Sequence, residues 1–224
     1  MPWRGFFDLI NRADVFVFYD DVQYDKHGWR NRNRIKTAQG TQWLTIPVLA
    51  KGNVDEKVLV KDVRIANQPW AKKHIATLKQ SYARAPFFKQ IWTELEPLWL
   101  KKHELLAELT IETTLAIAKL LGIDHVRFAR SSELGIGGER TERLVSIVKH
   151  FGADEYLSGP SAKSYIEEER FRAANVRLEY IRYDYAPYEQ LHPPYDPAVS
   201  ILDLLFMKGD EARDIAFASP KGAG

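Results

Sequence analysis

The chain reads Val15-Phe16-Val17-Phe18-Tyr19 and continues directly as Asp20-Asp21-Val22-Gln23-Tyr24-Asp25-Lys26-His27-Gly28-Trp29-Arg30-Asn31-Arg32-Asn33-Arg34. The first run is continuously apolar, aromatic and β-branched, which is typical of a buried strand. The second run is too polar to be ordered by burying its own side chains. Since α/β proteins carry binding loops where strands end, we expect a strand over residues 15–19 and a functional loop over residues 20–34.

Composition narrows the class of protein. The chain has 224 residues with a hydrophobic content of 45%, enough for one large domain or two small ones. Its 32 basic and 30 acidic residues, a net charge of +2, argue against a nucleic-acid partner. The absence of cysteine excludes disulfides and a cysteine nucleophile, and is compatible with the cytoplasm. No apolar run reaches the ~18 residues of a membrane helix, and the N-terminus does not resemble a secretory signal, so we expect a cytoplasmic protein without a membrane span.

Periodicity predicts the order of the elements. Residues 6–11 read as a short helix, and residues 33–66 as a β-rich segment that contains a hairpin and a further strand over 58–65. Helical periodicity dominates residues 67–122, and strands alternate with helices over 123–209. We therefore predict a single α/β domain over 1–224 with a Rossmann-like, mostly parallel sheet, an N-terminal β-hairpin extension, a helical insertion and a disordered tail over 219–224.

Asp20 and Asp21 are the candidate catalytic residues. Neighbouring carboxylates at a strand end can raise one another's pKa, serve as acid and base, or hold a divalent cation. They can equally end the strand as an Asx turn that satisfies backbone N–H groups. Because successive strand residues face opposite sides, at most one of the two is expected in a site, and we assign no metal site.

The arginines of the same loop are candidate ligand-binding residues. Arg30, Arg32 and Arg34 alternate with Asn31 and Asn33, so an extended backbone would place the three guanidinium groups on one face, suited to phosphate or carboxylate. The alternative is a charged hairpin edge. Gln23, Asn31 and Asn33 would orient the ligand. We expect Trp29 and Trp43 to pack in the core rather than to stack on a ligand.

Three loops further along the chain add candidate ligand-binding residues. A glycine-containing loop precedes an amphipathic helix, where free N–H groups suit an anion, although a merely flexible loop fits nearly as well. A second loop carries small and hydroxyl residues at a strand's carboxyl end, without the G-x-S-x-G of a serine hydrolase. A proline-rich loop holds a histidine that is either an acid/base or structural. The candidates are Gly137, Gly138 and Arg140, then Ser158, Gly159 and Ser161, and finally His192.

Several motifs together resemble the WbqC-like family. They are Pro2-Trp3-x-Gly5-Phe6-Phe7-x-Leu9-Ile10, Phe16-Val17-x-Tyr19-Asp20-Asp21-Val22-Gln23-Tyr24, Trp29-x-Asn31-Arg32-Asn33, Trp43-Leu44-Thr45-x-Pro47-Val48, Tyr156-Leu157-Ser158-Gly159 and Ser200-x-Leu202-Asp203-Leu204-Leu205-Phe206. The resemblance covers the chain from end to end in the same order. It implies a role in bacterial gene clusters for O-antigen and other surface polysaccharides.

The resemblance also implies that a first strand is missing from this sequence, either because the start site was misassigned or because the strand is absent. The family usually opens with an apolar strand ending in Gln-Pro-x-x-x-Pro-Trp, whereas this chain begins at the second proline, Pro2. The turn that follows is analogous to the triphosphate-binding turn of nucleotidyltransferase-type Rossmann proteins, which makes Trp3 a ligand candidate. The histidine pair typical of those proteins is absent here.

The expected function is that of a cytoplasmic enzyme of surface polysaccharide biosynthesis. It would bind an activated, anionic, sugar- or nucleotide-linked metabolite and transfer a group to a sugar, as a transferase. The alternative is a non-catalytic binding or scaffold protein that assists glycan assembly, marked by an exposed apolar patch on the helices of residues 69–121. The cofactor is unknown, and a homo-oligomer is left open.

Overall fold

The computed structural model describes residues 1–26, 28–49 and 58–218, so the predicted tail over 219–224 lies outside the described residues. The helices are α1 (Arg4–Asn11), α2 (Trp70–Tyr82), α3 (Phe88–Leu100), α4 (Leu106–Leu120), α5 (Arg140–His150), α6 (Glu168–Ala173), α7 (Ile201–Lys208) and α8 (Ala212–Phe217). The strands are β1 (Val15–Phe18), β2 (Arg32–Thr37), β3 (Gly40–Thr45), β4 (Arg127–Arg130), β5 (Glu155–Ser158) and β6 (Arg177–Tyr180).

The strands form three pairs. β1 and β4 are parallel, with Val15 opposite Arg127, and β5 and β6 are parallel across the α6 crossover. β2 and β3 form the predicted antiparallel hairpin, which turns at Gly40, where φ is 109°. Parallel pairs combined with helices confirm the α/β class. Over the described residues the pairs remain three separate two-stranded sheets, and a continuous Rossmann-like sheet stays a prediction.

The strand predicted over residues 58–65 was wrong. Leu59 and Ile65 form only isolated bridges, and residues between them make a 3-10 turn over Val60–Asp62. Val60 and Val63 are both buried in one cluster with Tyr24. Residues three apart would face opposite sides of a strand, whereas the three-residue repeat of a 3-10 turn brings them to the same side. Burial of both valines therefore favours the turn.

The largest apolar cluster packs α2, α3 and α7 with the inner face of the hairpin, which contributes Ile35 and Leu44. A second cluster lies between α5, α6 and the β5–β6 pair around the fully buried Phe171. α7 is buried all round, and its Asp203 accepts hydrogen bonds from the hydroxyls of Tyr82 and Tyr188, both at 2.8 Å. Burial raises the pKa of Asp203, while the two tyrosines oppose that shift. Asp203 is therefore a structural anchor.

The length and apolar character of the helices decide whether one of them could span a membrane. Across the ranges that the structure describes, no helix combines the length and the apolar character needed to cross a bilayer.

Candidate functional site

A cavity of about 590 Å³ lies between the hairpin, α4, the segment that leads into α1 and the end of β1. Five of the predicted ligand residues line it: Trp3, Arg30, Asn31, Arg32 and Asn33. This volume lies within the ~300–1,000 Å³ of typical small-molecule sites. The structure thus brings the second half of the polar loop to one concave site.

The mouth of the cavity is cationic. Trp29 is 59% exposed there, and the neighbouring Arg30 is also exposed. Arg30 forms no ion pair with any described residue. Partial desolvation of its guanidinium lowers the pKa of Arg30, and Asp25 opposes that shift. An arginine stays protonated at neutral pH even so, which leaves a positive charge at the entrance.

Arginine and tryptophan side chains also stack on the outer face of the hairpin. The Arg32 guanidinium lies 4.8 Å from the ring centre of Trp43, and the Trp29 and Trp43 rings are 5.0 Å apart. Arg34 alternates with Arg32 on β2 as predicted, but its guanidinium donates to the Ala198 carbonyl at 3.0 Å and does not line the cavity. The expected core packing of the two tryptophans was wrong, because they pack on each other and on arginines at the surface.

The two asparagines hold the cavity wall in place. Asn31 Nδ2 donates to the Ile46 carbonyl at 3.0 Å, and Asn33 Nδ2 donates to the Met1 carbonyl at 2.6 Å. Asn33 Oδ1 also accepts from the backbone N–H of Arg34. Asn31 therefore joins the two ends of the hairpin and Asn33 fixes the hairpin against the N-terminal segment, which positions the arginines beside them.

His74 of α2 lies on the inner wall of the cavity, and the sequence pattern does not mark it as a site residue. It is 5% exposed, and its Nε2–H donates to the Thr45 carbonyl at 3.1 Å, while no described group bonds to Nδ1. Burial lowers the pKa of His74 to about 4 although the hydrogen bond to Thr45 opposes that shift. The ring is therefore neutral at pH 7. A lone histidine on an amphipathic helix carries no sequence signal that would have distinguished it from a core residue.

Trp3 lies between the cavity and the ends of β5 and β6. Its ring meets Tyr183 edge-on with centroids 4.7 Å apart. A Cβ at Gly5 would lie 2.5 Å from the Trp3 ring and 2.8 Å from Tyr183, so only glycine admits this approach. The hydroxyl of Tyr183 in turn lies near Gly159, so Tyr183 connects Trp3 with the second predicted loop.

Asp20 and Asp21 belong to a separate cluster that we call the strand-end cluster, made of these two residues with Arg130, Ser131, Ser132 and Arg143. Asp20 is 3% exposed and accepts from Arg130 Nε at 2.8 Å, Ser132 N at 3.0 Å and Ser132 Oγ at 3.0 Å. Asp21 pairs with Arg143 and accepts from Ser131 Oγ. Burial would raise the pKa of Asp21, but the hydrogen bonds from Arg143 and Ser131 hold it below its usual value. Neither acid lines the cavity.

The remaining predicted residues also lie away from the cavity. Gln23 is exposed and forms an isolated bridge with Leu59. Gly137 and Gly138 of the glycine-containing loop are exposed before α5, and Arg140 is exposed as the first residue of that helix. Ser158 is buried at the end of β5, with Gly159 beside it and Ser161 exposed in the turn that follows. His192 is buried and its Nε2 bonds to the Ser81 carbonyl at 2.8 Å.

Comparison with known proteins agrees with the motifs that surround this site. The family model described as WbqC-like protein family matches residues 1–215. The chain belongs to the WbqC-like protein family. It is also 44% identical over 216 residues to the uncharacterized protein Rv1507c of Mycobacterium tuberculosis, an alignment that covers 96% of this chain and 92% of the relative. No solved structure shows significant similarity to this WbqC-like chain.

Proposed function

We propose that this WbqC-like protein binds an activated, anionic metabolite in the 590 Å³ cavity and acts in bacterial surface polysaccharide (O-antigen) biosynthesis in the cytoplasm. The reaction class is group transfer from that metabolite to a sugar intermediate. The observation that carries the proposal is Arg30, a guanidinium at the mouth of a cavity with no ion pair to any described residue.

The physical argument is one of charge and concavity. A charge-assisted hydrogen bond is stronger than a neutral one, and an arginine presents two parallel N–H groups to a phosphate or carboxylate. Desolvation at the mouth strengthens that attraction, because the local dielectric constant is lower than in water. Arg32 lines the same cavity and adds a second positive charge near the bound anion.

A thermal-shift screen tests the binding step. Nucleotides, nucleotide sugars and acyl donors should raise the melting temperature of the wild-type chain when one of them is the anion that binds. Arg30→Gln should abolish the shift. Arg84→Gln is the matched control, because Arg84 is exposed between α2 and α3 and distant from the cavity lining. Absence of a shift with every anion in the screen would contradict the proposal.

A non-catalytic binding or scaffold protein is the second candidate function. It is favoured by the fact that no carboxylate of a described residue lines the cavity, while Asp20 and Asp21 are bound by their neighbours. The apolar patch expected on the helices is small, since Leu100 and Leu115 are its large exposed side chains among the described residues.

Complementation of a strain that lacks this gene separates the two candidates. If Arg30→Gln abolishes surface polysaccharide synthesis while the protein stays folded, the enzyme that needs the bound anion is supported. If that variant complements fully and Leu100→Glu with Leu115→Glu does not, the scaffold is supported instead.

A further inference from the structure

The inner walls of the cavity are mostly apolar. Behind the cationic mouth the lining includes the apolar side chains of Phe6, Phe18, Leu44, Ile46, Val60 and Leu106. They come from the hairpin and the segment after it, the end of β1, α1, the 3-10 turn and α4, and Leu44, Val60 and Leu106 are buried. When an apolar ligand displaces water from apolar surface of this kind, the free energy of binding becomes more favourable.

Several polar groups of the inner walls are already bonded within the protein. Thr110 Oγ1 donates to the Leu106 carbonyl at 2.9 Å, and Thr114 Oγ1 donates to the Thr110 carbonyl at 2.7 Å. The amides of Asn31 and Asn33 donate to backbone carbonyls. His74 donates through Nε2, and its unpaired Nδ1 has no exposed surface. A sugar ring or a base, each with several hydrogen-bonding groups, would lose its bonds to water there and gain few in return.

We propose that the cavity holds the apolar body of an amphiphilic acid, an acyl or isoprenoid chain whose carboxylate or phosphate lies at Arg30. The site of the head group rests on the proposed function, and the chain is the new element. Apolar walls behind a cationic mouth are complementary to a molecule that is apolar along its length and anionic at one end. The activated metabolite is therefore an acyl or prenyl phosphate rather than a nucleotide sugar: the acyl or prenyl group would pass to a hydroxyl or amine of the sugar and the phosphate would leave. A free carboxylate carries no leaving group and serves only as a probe of the site.

If the cavity holds an apolar chain, the dissociation constant of an acid should depend on the length of that chain. Each methylene that enters an apolar cavity improves the dissociation constant about fourfold. The gain should continue until the cavity is full and then stop. A site that recognises only the anionic head shows no dependence on chain length.

Calorimetric titration of the full-length protein tests this dependence on chain length. The probes are acetate, butanoate, hexanoate, octanoate and decanoate, the matching alkyl phosphates, inorganic phosphate, decanol and UDP-glucose, all below their aggregation concentrations. We expect affinity to rise about fourfold per methylene in both acid series. Comparison of carboxylates with phosphates identifies the head group, and UDP-glucose should bind more weakly than the longest acid that fits.

Two variants separate the head from the chain. Arg30→Gln should weaken decanoate or decyl phosphate about tenfold and leave decanol unchanged, because only the charge-assisted bond is lost. Thr110→Phe, which fills part of the cavity, should weaken the long acids about tenfold and leave acetate and inorganic phosphate unchanged. Thr93→Phe is the control for the latter, since Thr93 is exposed on α3 and its hydroxyl also bonds its own helix.

The outcomes are distinguishable. A flat dependence on chain length with Arg30-dependent binding of short anions would overturn the acyl inference and leave the proposed function intact. Preferred binding of UDP-glucose would do the same. Failure of every anion would overturn both proposals. If Thr110→Phe lowers the melting temperature strongly, the chain-length series of the wild-type protein still decides the inference.

Discussion

The cavity mouth and the strand-end cluster come from one continuous polar run, yet they differ in how their charges are satisfied. Asp20 accepts at least three hydrogen bonds from Arg130 and Ser132, and Asp21 pairs with Arg143. Arg30 has no ion pair in the part of the chain that the structure describes. A charge whose bonding capacity is used internally holds the fold, whereas a charge that forms no ion pair with the described residues is available to a ligand. The difference favours an anchoring role for residues 20–21, and it is the reason why we propose ligand binding at residues 29–33.

The largest effect is expected from Asp20→Ala. The substitution leaves Arg130 and Ser132 without the carboxylate that they bond in a buried position, so the free energy of unfolding should fall by about 3–5 kcal/mol. Urea denaturation measures it. Asp124→Ala, at an exposed aspartate, is the matched control and should change stability by less than about 0.5 kcal/mol. A loss of stability no larger than that of the control would remove the contrast between the two regions.

An intermediate effect is expected from acid. The pKa of His74 is about 4 in the folded chain against 6.5 in the unfolded chain, so below pH 6.5 the unfolded state binds more protons. Stability should therefore fall by about 3 kcal/mol as the pH drops from 6.5 to 4. Denaturation at stepped pH checks this slope, which His74→Gln should reduce and His125→Gln, at an exposed site, should retain.

The same pH series separates the two regions. The pKa of Asp21 lies below its usual 3.8, so its contribution to stability is present above that pH and is lost only as the pH falls further. The cavity wall should thus respond between pH 6.5 and 4, and the strand-end cluster below pH 4. If Asp21→Asn changed the dependence of stability on pH between pH 6.5 and 4, this separation of the two regions would be contradicted.

The smallest effect on stability is expected from Arg30→Gln. Since Arg30 has no ion pair to lose within the described chain, the free energy of unfolding should change by less than about 0.5 kcal/mol while anion affinity falls. Thermal and urea denaturation of this variant beside Arg84→Gln measure it. A destabilisation of 2 kcal/mol or more would show that Arg30 supports the fold.

Much of the secondary structure follows from local pattern. The predicted strand over 15–19 corresponds to β1, the Gly-containing loop to the hairpin turn, and the periodicity of residues 67–122 to α2, α3 and α4. The strand predicted over 58–65 failed because contacts with Tyr24 and Leu106, distant in sequence, bury both Val60 and Val63. The prediction that Trp29 and Trp43 lie in the core was wrong, because both side chains stay exposed and pack against arginines at the surface.

The local sequence was sufficient to nominate Arg30, Asn31, Arg32 and Asn33, since an alternating polar run after a strand is unlike a core. It could not separate those residues from Asp20 and Asp21, and it did not nominate His74. Periodicity and propensity act over a few residues, and they determine elements. The partners of Asp20 come from residues 130–132, and the wall opposite the arginines comes from α2 and α4. Whether a charge is satisfied or left for a ligand depends on such long-range contacts, and only the tertiary structure sets them.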